Sequence, residues 1–291
     1  MDYRIENAQL RVVISSLGGE LQSIQNQEGL EYLWQGDAAI WAGRAPNLFP
    51  YIARLTEQQY CYKGEFYHMD LHGFMKDSDM KVSDYQSGKV TFYMEENERT
   101  QIQYPFMFRY ELTYELVEDT IIVTYIVKNK GLETMFFGIG GHPGFQIPLE
   151  KQYKFEEYYL EFPYAEQPKR IGMSPGYFVD GTEKDYELRL GNYLDLQHSL
   201  FDQDAIILKD MGKLVRIGAG QGRHGVEVSY PQMNYLGIWH AEHTKANYVC
   251  MEPWSSLPSR EGIIEDIAKQ DNLIALSPGK QYENRWKIRL Y

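Results

Sequence analysis

A two-residue hydrophobic period recurs along almost the whole chain, and it is the feature that most restricts the possible folds. KVTFYMEE (Lys89–Glu96), FRYELTYELV (Phe108–Val117) and TIIVTYIVKN (Thr120–Asn129) alternate in this way and are rich in Val, Ile, Thr, Tyr and Phe. Successive side chains of a strand point to opposite faces, so such segments bury one face and wet the other. Glu118-Asp119 and Asn129-Lys130-Gly131 read as the turns that follow two of them, and LETMFFGIGG as the next strand. AQLRVVISSLGG and ELQSIQNQEGLEYLW continue the pattern towards the start, and AIILKD, KLVRIGAG, GVEVSYP, YLGIWH and ENRWKIRLY towards the end. The 24 tyrosines agree with it, since a phenol can pack its ring inward and keep its hydroxyl wet. Helical patterning is sparse, and REGIIEDIAKQ (Arg260–Gln270) is the segment expected to form a short helix. Strands at this density, without interleaved helices, predict an all-β fold: a large antiparallel β-sandwich with a few short helices.

Composition narrows the function. The 291 residues are 43% hydrophobic and contain no low-complexity linker, so one domain over residues 1–291 is expected. The stretch from Glu166 to Gly181 reads as a long surface loop. A formal net charge of -12, with no basic run, repels phosphate backbones and anionic lipid; neither nucleic acid nor membrane is expected as a partner. The opening MDYRIENAQLRVVISS has no apolar signal core, and no run approaches the roughly 18 apolar residues of a membrane span. Two cysteines, Cys61 and Cys250, are too few for a disulfide framework and are expected to be reduced. These readings place the protein in the cytoplasm.

Among seven histidines, two have unusual company. His72 lies in DLHGFMKD and His142 in GGHPGF, where glycines let another group approach the imidazole closely. His68, His198 and His224 read as surface groups, and His240 and His243 in WHAEH lack a metal-ligand spacing, so no metal is expected. Arg54 ends NLFPYIAR and is either a surface charge or a fixed cation reaching into a cleft. Glu252 ends the apolar run Tyr-Val-Cys-Met in YVCMEPWSSLP. A carboxylate there is costly unless paired or catalytic, and burial would raise its pKa towards that of a useful base. Asp204 precedes the apolar strand of FDQDAIIL.

NLFPYIAR, HGF, GGHPGF, DAIIL and EPW, in this order, together with GGELQSI, EYLWQGD and a following Trp near the start, resemble the aldose 1-epimerase (galactose mutarotase) family, most of all its LacX-like branch. The resemblance spans essentially residues 1–291 and implies a galactose mutarotase-like supersandwich. It implies an isomerase of carbohydrate metabolism that interconverts the α and β anomers of a hexose by acid–base ring opening, without metal or organic cofactor. Carried over by motif, Glu252 is the base, His142 the acid, and His72 and Arg54 hold the sugar and the charge developing near its ring oxygen. Asp204 accepts hydrogen bonds from sugar hydroxyls. Phe74, Phe145, Trp239 and Trp254 are candidates for an apolar platform under the sugar, with plain core packing as the alternative for each.

Three departures from the family pattern bear on the substrate. Lys76 follows HGF where arginine is common, Ser259 replaces an acidic residue after the proline of SSLP, and Ala53 stands where glycine usually precedes the arginine. Two other functions stay open: a hexose-6-phosphate 1-epimerase, which needs a cluster of cations around the phosphate, and a non-catalytic carbohydrate-binding or sensing protein. A small-molecule sugar is the expected partner in each case, and either a monomer or a homodimer is compatible with the resemblance.

Overall fold

The computed structural model describes residues 1–291. Two large antiparallel sheets form the expected all-β sandwich. In the nine-stranded sheet, Val226–Ser229, Gln281–Leu290, Thr120–Asn129, Phe108–Val117 and Lys89–Glu95 lie side by side in that order. Their alternation is the one read from the sequence. Ile121, Val123, Tyr125, Val127 and Asn129 are buried while the residues between them are partly exposed. Cross-strand register stacks Ile121 between Leu116 and Ile288, which keeps one face continuously apolar. Each such side chain contributes about 1.5–3 kcal/mol through its burial.

The eight-stranded sheet is built differently. Lys169–Met173, Ile206–Lys209, Tyr235–Trp239, Tyr248–Trp254, Gly140–Gly141 and Asn47–Leu48 follow one another across it, in strands of two to seven residues. Every residue of Tyr248–Trp254 is buried, so this strand is covered on both faces. A polar bolt ties the two sheets together. The Tyr125 hydroxyl lies 2.9 Å from Asn47 Oδ1 and 3.2 Å from the Gly140 carbonyl. Asn47 Nδ2 donates to the carbonyls of Gly18 and Gly19 and to the Tyr114 hydroxyl. Buried amide and phenol groups satisfied in this way select one register of the two sheets.

Three expectations fail. Arg260–Gln270 is not a helix. Glu265 reaches back to accept from the Arg260 backbone N–H at 3.0 Å and from its guanidinium at 2.9 and 2.8 Å, and Gly262 turns the chain at φ +69°. The backbone there is committed elsewhere: Cys61 N–H donates to Glu265 O, and Ile267 N–H to Cys61 O. A segment that spends its amides across the chain cannot also close helical turns. The α-helix of the molecule is Glu98–Gln103, capped by the Asn97 side chain. The supposed surface loop from Glu166 to Gly181 instead supplies Lys169–Met173 and the start of Val179–Asp185, a hairpin at the edge of the second sheet. LETMFFGIGG breaks into Met135–Phe137, paired with Ile274–Leu276, and Gly140–Gly141 in the eight-stranded sheet. Cys61 and Cys250 are both free thiols. No helix is long and apolar enough to cross a membrane.

Candidate active site

The site begins with register. Gly140 pairs with Trp254 and Gly144 with Cys250, so the chain between them carries His142 past Glu252. His142 Nε2 lies 3.2 Å from Glu252 Oε2. The glycines around the histidine are there for close approach. A Cβ on Gly141 would fall 2.6 Å from Trp286 Cζ2, and one on Gly144 would fall 2.9 Å from Trp41 Cζ3.

Glu252 is 1% exposed and His142 7%. Neither Glu252 oxygen nor His142 Nδ1 has an aligned hydrogen-bond partner. Burial, and then the nearby charge of Asp204, holds the Glu252 carboxyl well above the usual carboxylate range, against a smaller opposing pull from the Trp254 indole. Burial pushes the His142 imidazole down to about 4. A carboxyl that resists losing its proton thus stands beside an imidazole that resists gaining one. The titration belongs to the pair.

His72 stands edge-on to His142, with ring centroids 5.4 Å apart and planes at 86°. Its Nδ1 accepts from the Ala53 N–H at 3.1 Å, so the neutral ring keeps its proton on Nε2 and presents a donor. Burial, then His142, Lys76 and Arg54, pushes its pKa well below the ordinary value. The bond to Ala53 depends on strained backbone: Ala53 has φ +56° and His72 φ +65°, in the left-handed region. Each costs about 1 kcal/mol or more for a residue with a side chain. The Ala53 departure is thus absorbed as strain, and Arg54 still reaches the cleft.

Glu252, His142, His72, Arg54, Asp204, Lys76, Trp239 and Trp254 all line one cavity of about 750 Å³. This lies in the size range of small-molecule sites. The Arg54 guanidinium sits 5.1 Å over the Tyr177 ring. Burial raises the pKa of Asp204. Lys76 forms an ion pair with Asp77 at the rim. Phe74 and Phe145 are not part of the site. Phe74 packs edge-on to Phe49 and against Tyr104 and Phe108, and Phe145 is fully buried. Both belong to the core, the alternative open from sequence. Ser259, the other departure, is buried structure: its Oγ accepts from the Thr56 N–H at 2.8 Å.

Sequence reasoning missed two aromatic residues of the wall, Trp41 and Tyr177. Trp41 lies 5.1 Å from His142, tilted by 33°, and Trp239 meets the same imidazole edge-on at 5.5 Å. A lone Trp among the small residues of DAAIWAGR was the available signal. Tyr177 sits in the stretch read as a loop and carried no signal of its own.

The other histidines also need correction. His198 is no surface group. It stacks on Phe155 with centroids 3.9 Å apart, and its Nδ1 lies 3.1 Å from Nε2 of the fully buried His240. His224 is half-buried against Glu150, whereas His68 is exposed as expected.

Comparisons with known proteins identify the family and the fold. The model of the aldose 1-epimerase family matches residues 1–289. Chromosomal protein LacX of Lactococcus lactis subsp. lactis is 31% identical over 294 aligned positions, with 97% of each chain covered. A galactose mutarotase related enzyme from Lactobacillus acidophilus superposes with a TM-score of 0.94 at 32% identity, over 100% of this chain and 97% of the other. A galactose mutarotase-like protein from Lactobacillus casei ATCC 334 does so with the same score and identity over 100% of both chains.

Proposed function

This chain belongs to the aldose 1-epimerase family, and from that premise we propose that it catalyses the interconversion of the α and β anomers of a free hexose. The observation that carries this reading is the buried His142–Glu252 pair, 3.2 Å apart in the wall of the cleft. In the less populated tautomer, with the proton on His142, the Glu252 carboxylate removes the proton from the C1 hydroxyl while the imidazolium protonates the ring oxygen. The C1–O5 bond breaks, and the pair then holds the same single proton on Glu252. After rotation about C1–C2, neutral His142 takes the proton from the C5 hydroxyl as O5 attacks the other face of C1. Glu252 returns its proton to O1. The proton count of the pair is unchanged over the cycle. His72 Nε2–H and Arg54 stabilise the ring oxygen, and Asp204 accepts from sugar hydroxyls.

The charge of the cleft favours a neutral sugar over a hexose 6-phosphate. Glu20, Asp77 and Asp204 line it against Arg54 and Lys76, and Lys76 is already paired with Asp77. Arg44 turns away, donating to Gln22 O at 2.6 Å and Gln35 Oε1 at 3.3 Å. A phosphate needs several convergent donors, and this wall offers few. A binding or sensing protein would gain nothing from two costly buried groups left unpaired, so the acid–base pair also argues against that alternative. The two reduced thiols fit a cytoplasmic enzyme.

Polarimetry on fresh α-galactose and α-glucose tests the proposal, with glucose 6-phosphate followed by exchange NMR. Acceleration of the free sugars with a bell-shaped pH profile is expected, because the pair fails with either two protons or none. Binding without acceleration would reduce the protein to a sugar sensor, and acceleration of the ester alone would reverse the charge argument.

A further inference from the structure

We propose that the floor of the cleft is also a latent binding site for a borderline or soft divalent cation, Zn(II) or Cd(II), formed by Cys250, His142 and Glu252, and that occupancy shuts the site down. One donor atom from each of these three side chains lies within 4.8 Å of the others. The arrangement follows from the same register as the active site. Cys250 and Glu252 are two apart on one strand and so project to the same face, while His142 comes from the adjoining chain. All three are buried.

Two features separate this cluster from ordinary core polarity. Both Glu252 oxygens and His142 Nδ1 are without aligned partners although they are buried, and they bound a cavity that a hydrated ion can enter. The donor set is also selective. Thiolate, imidazole and carboxylate together suit zinc-like ions, whereas magnesium and calcium prefer all-oxygen shells. Donors around a tetrahedral zinc stand about 3.5 Å apart, so closing the site takes a contraction of roughly 1 Å. On binding, the Cys250 S–H bond breaks and a sulfur–metal bond forms; the thiol proton and the proton of the His142–Glu252 pair both leave to solvent, with no electron transferred. His142 and Glu252 are then ligands, and neither can exchange a proton with a sugar. Cys250 itself lies behind the wall among Trp34, Tyr248 and Trp239 and has no part in the proposed ring opening.

This inference rests on donor geometry and stands apart from the epimerase reading. Its test is therefore spectroscopic first. Cd(II) alone is titrated into the full-length protein, and the ultraviolet thiolate-to-cadmium charge-transfer band is followed. A saturable band is expected in the Cys61→Ser protein and in wild type. In Cys250→Ser it should disappear, and in Glu252→Gln the affinity should fall by roughly 10-fold or more. Cys250→Ala, checked by circular dichroism, replaces the serine variant if that one misfolds. Where ring opening is measurable, Cd(II) should inhibit wild type and lose at least about tenfold in potency against Cys250→Ser. No band in wild type, or a band that survives loss of Cys250 but not of Cys61, overturns the site. Equal inhibition of wild type and Cys250→Ser overturns it as well.

Discussion

The two sheets of this molecule divide the work between them. The nine-stranded sheet has its longest strands at ten residues, with unbroken alternation and cross-strand apolar stacks such as Leu116–Ile121–Ile288. The eight-stranded sheet is short-stranded and interrupted, yet it carries or borders many side chains of the cleft, Arg54 beyond Asn47–Leu48, His142 beyond Gly140–Gly141, Asp204 ahead of Ile206–Lys209, Trp239, Glu252 and Trp254, while His72, Lys76 and Trp41 come from connecting segments. Buried groups without aligned partners occur in both, Tyr110, Asn284 and Trp286 in the first sheet and His142, Glu252 and Trp254 in or beside the second, but only those of the second line the cleft. Non-glycine residues at positive φ, among them Ala53, Tyr177 and Asp204, border the second sheet at the same cleft. Strain and unpaired polarity are what a packed core excludes and a reactive site requires. The regular sheet stabilises the fold in which the irregular one can persist.

Substitutions on the two sheets should therefore separate activity from stability. The largest effect is expected from Glu252→Gln and His142→Ala, each lowering turnover by about 10²–10⁴-fold as a positioned acid or base is lost. Chemical denaturation should show neither to be globally destabilised; a collapse of stability instead would place the pair in the scaffold. Ile121→Ala, in the regular sheet, should lower unfolding free energy by about 2–5 kcal/mol and leave the activity per folded molecule unchanged. A parallel loss of kcat/KM would show that the sheets are not separable.

The pH dependence of stability sharpens the contrast. His142 and His72 are held below the ordinary 6.5. The unfolded chain therefore binds protons that the native state refuses, and stability rises as pH climbs from about 4, the His142 value, past 6.5. Glu252 is held above its usual 4.5, so the native state keeps a proton that the unfolded chain releases, and stability falls as pH rises beyond 4.5. The two trends oppose each other where they overlap, and the fall continues until pH reaches the native pKa of Glu252. Glu252→Gln removes that fall. Its advantage over wild type in urea should widen with pH, at a slope approaching about 1.4 kcal/mol per pH unit for one proton. Parallel curves from about pH 5 to about pH 8 would mean that Glu252 is ionised in the native state.

Smaller effects test the wall. Trp41→Ala should raise KM by a few-fold to roughly tenfold, the size of a lost aromatic contact of about 0.5–1.5 kcal/mol, with kcat nearly unchanged. Ala53→Gly relieves a left-handed alanine but loosens the unfolded chain. Stability should change by less than about 1 kcal/mol and activity hardly at all, as read by melting and by polarimetry.

Much of the regular sheet was legible because period-two alternation is a local property, and the tertiary structure only had to stack what each strand already presented. The candidate site was legible through its ordered motifs, NLFPYIAR, HGF, GGHPGF and EPW, whose residues line one cavity. Reading failed where distant contacts overrode local pattern. Arg260–Gln270 has the periodicity of a helix, but Glu265 and Cys61 claim its backbone. Phe74 follows a site histidine directly, yet its side chain turns into the core. Trp41 and Tyr177 belong to the site only because separate segments bring them over the same imidazole and the same guanidinium.

By itself, then, the sequence determined the strand class, the acidic surface, the reduced thiols and the identity of the titratable groups, because each of these follows from residue type and short-range period. Only the tertiary structure decided that His142 faces Glu252 at 3.2 Å, that Ala53 sets the His72 tautomer, and that Cys250 stands behind both groups. Those facts depend on the register between segments far apart in the chain. Register is chosen by the packing of the whole sandwich, and no local stretch encodes it.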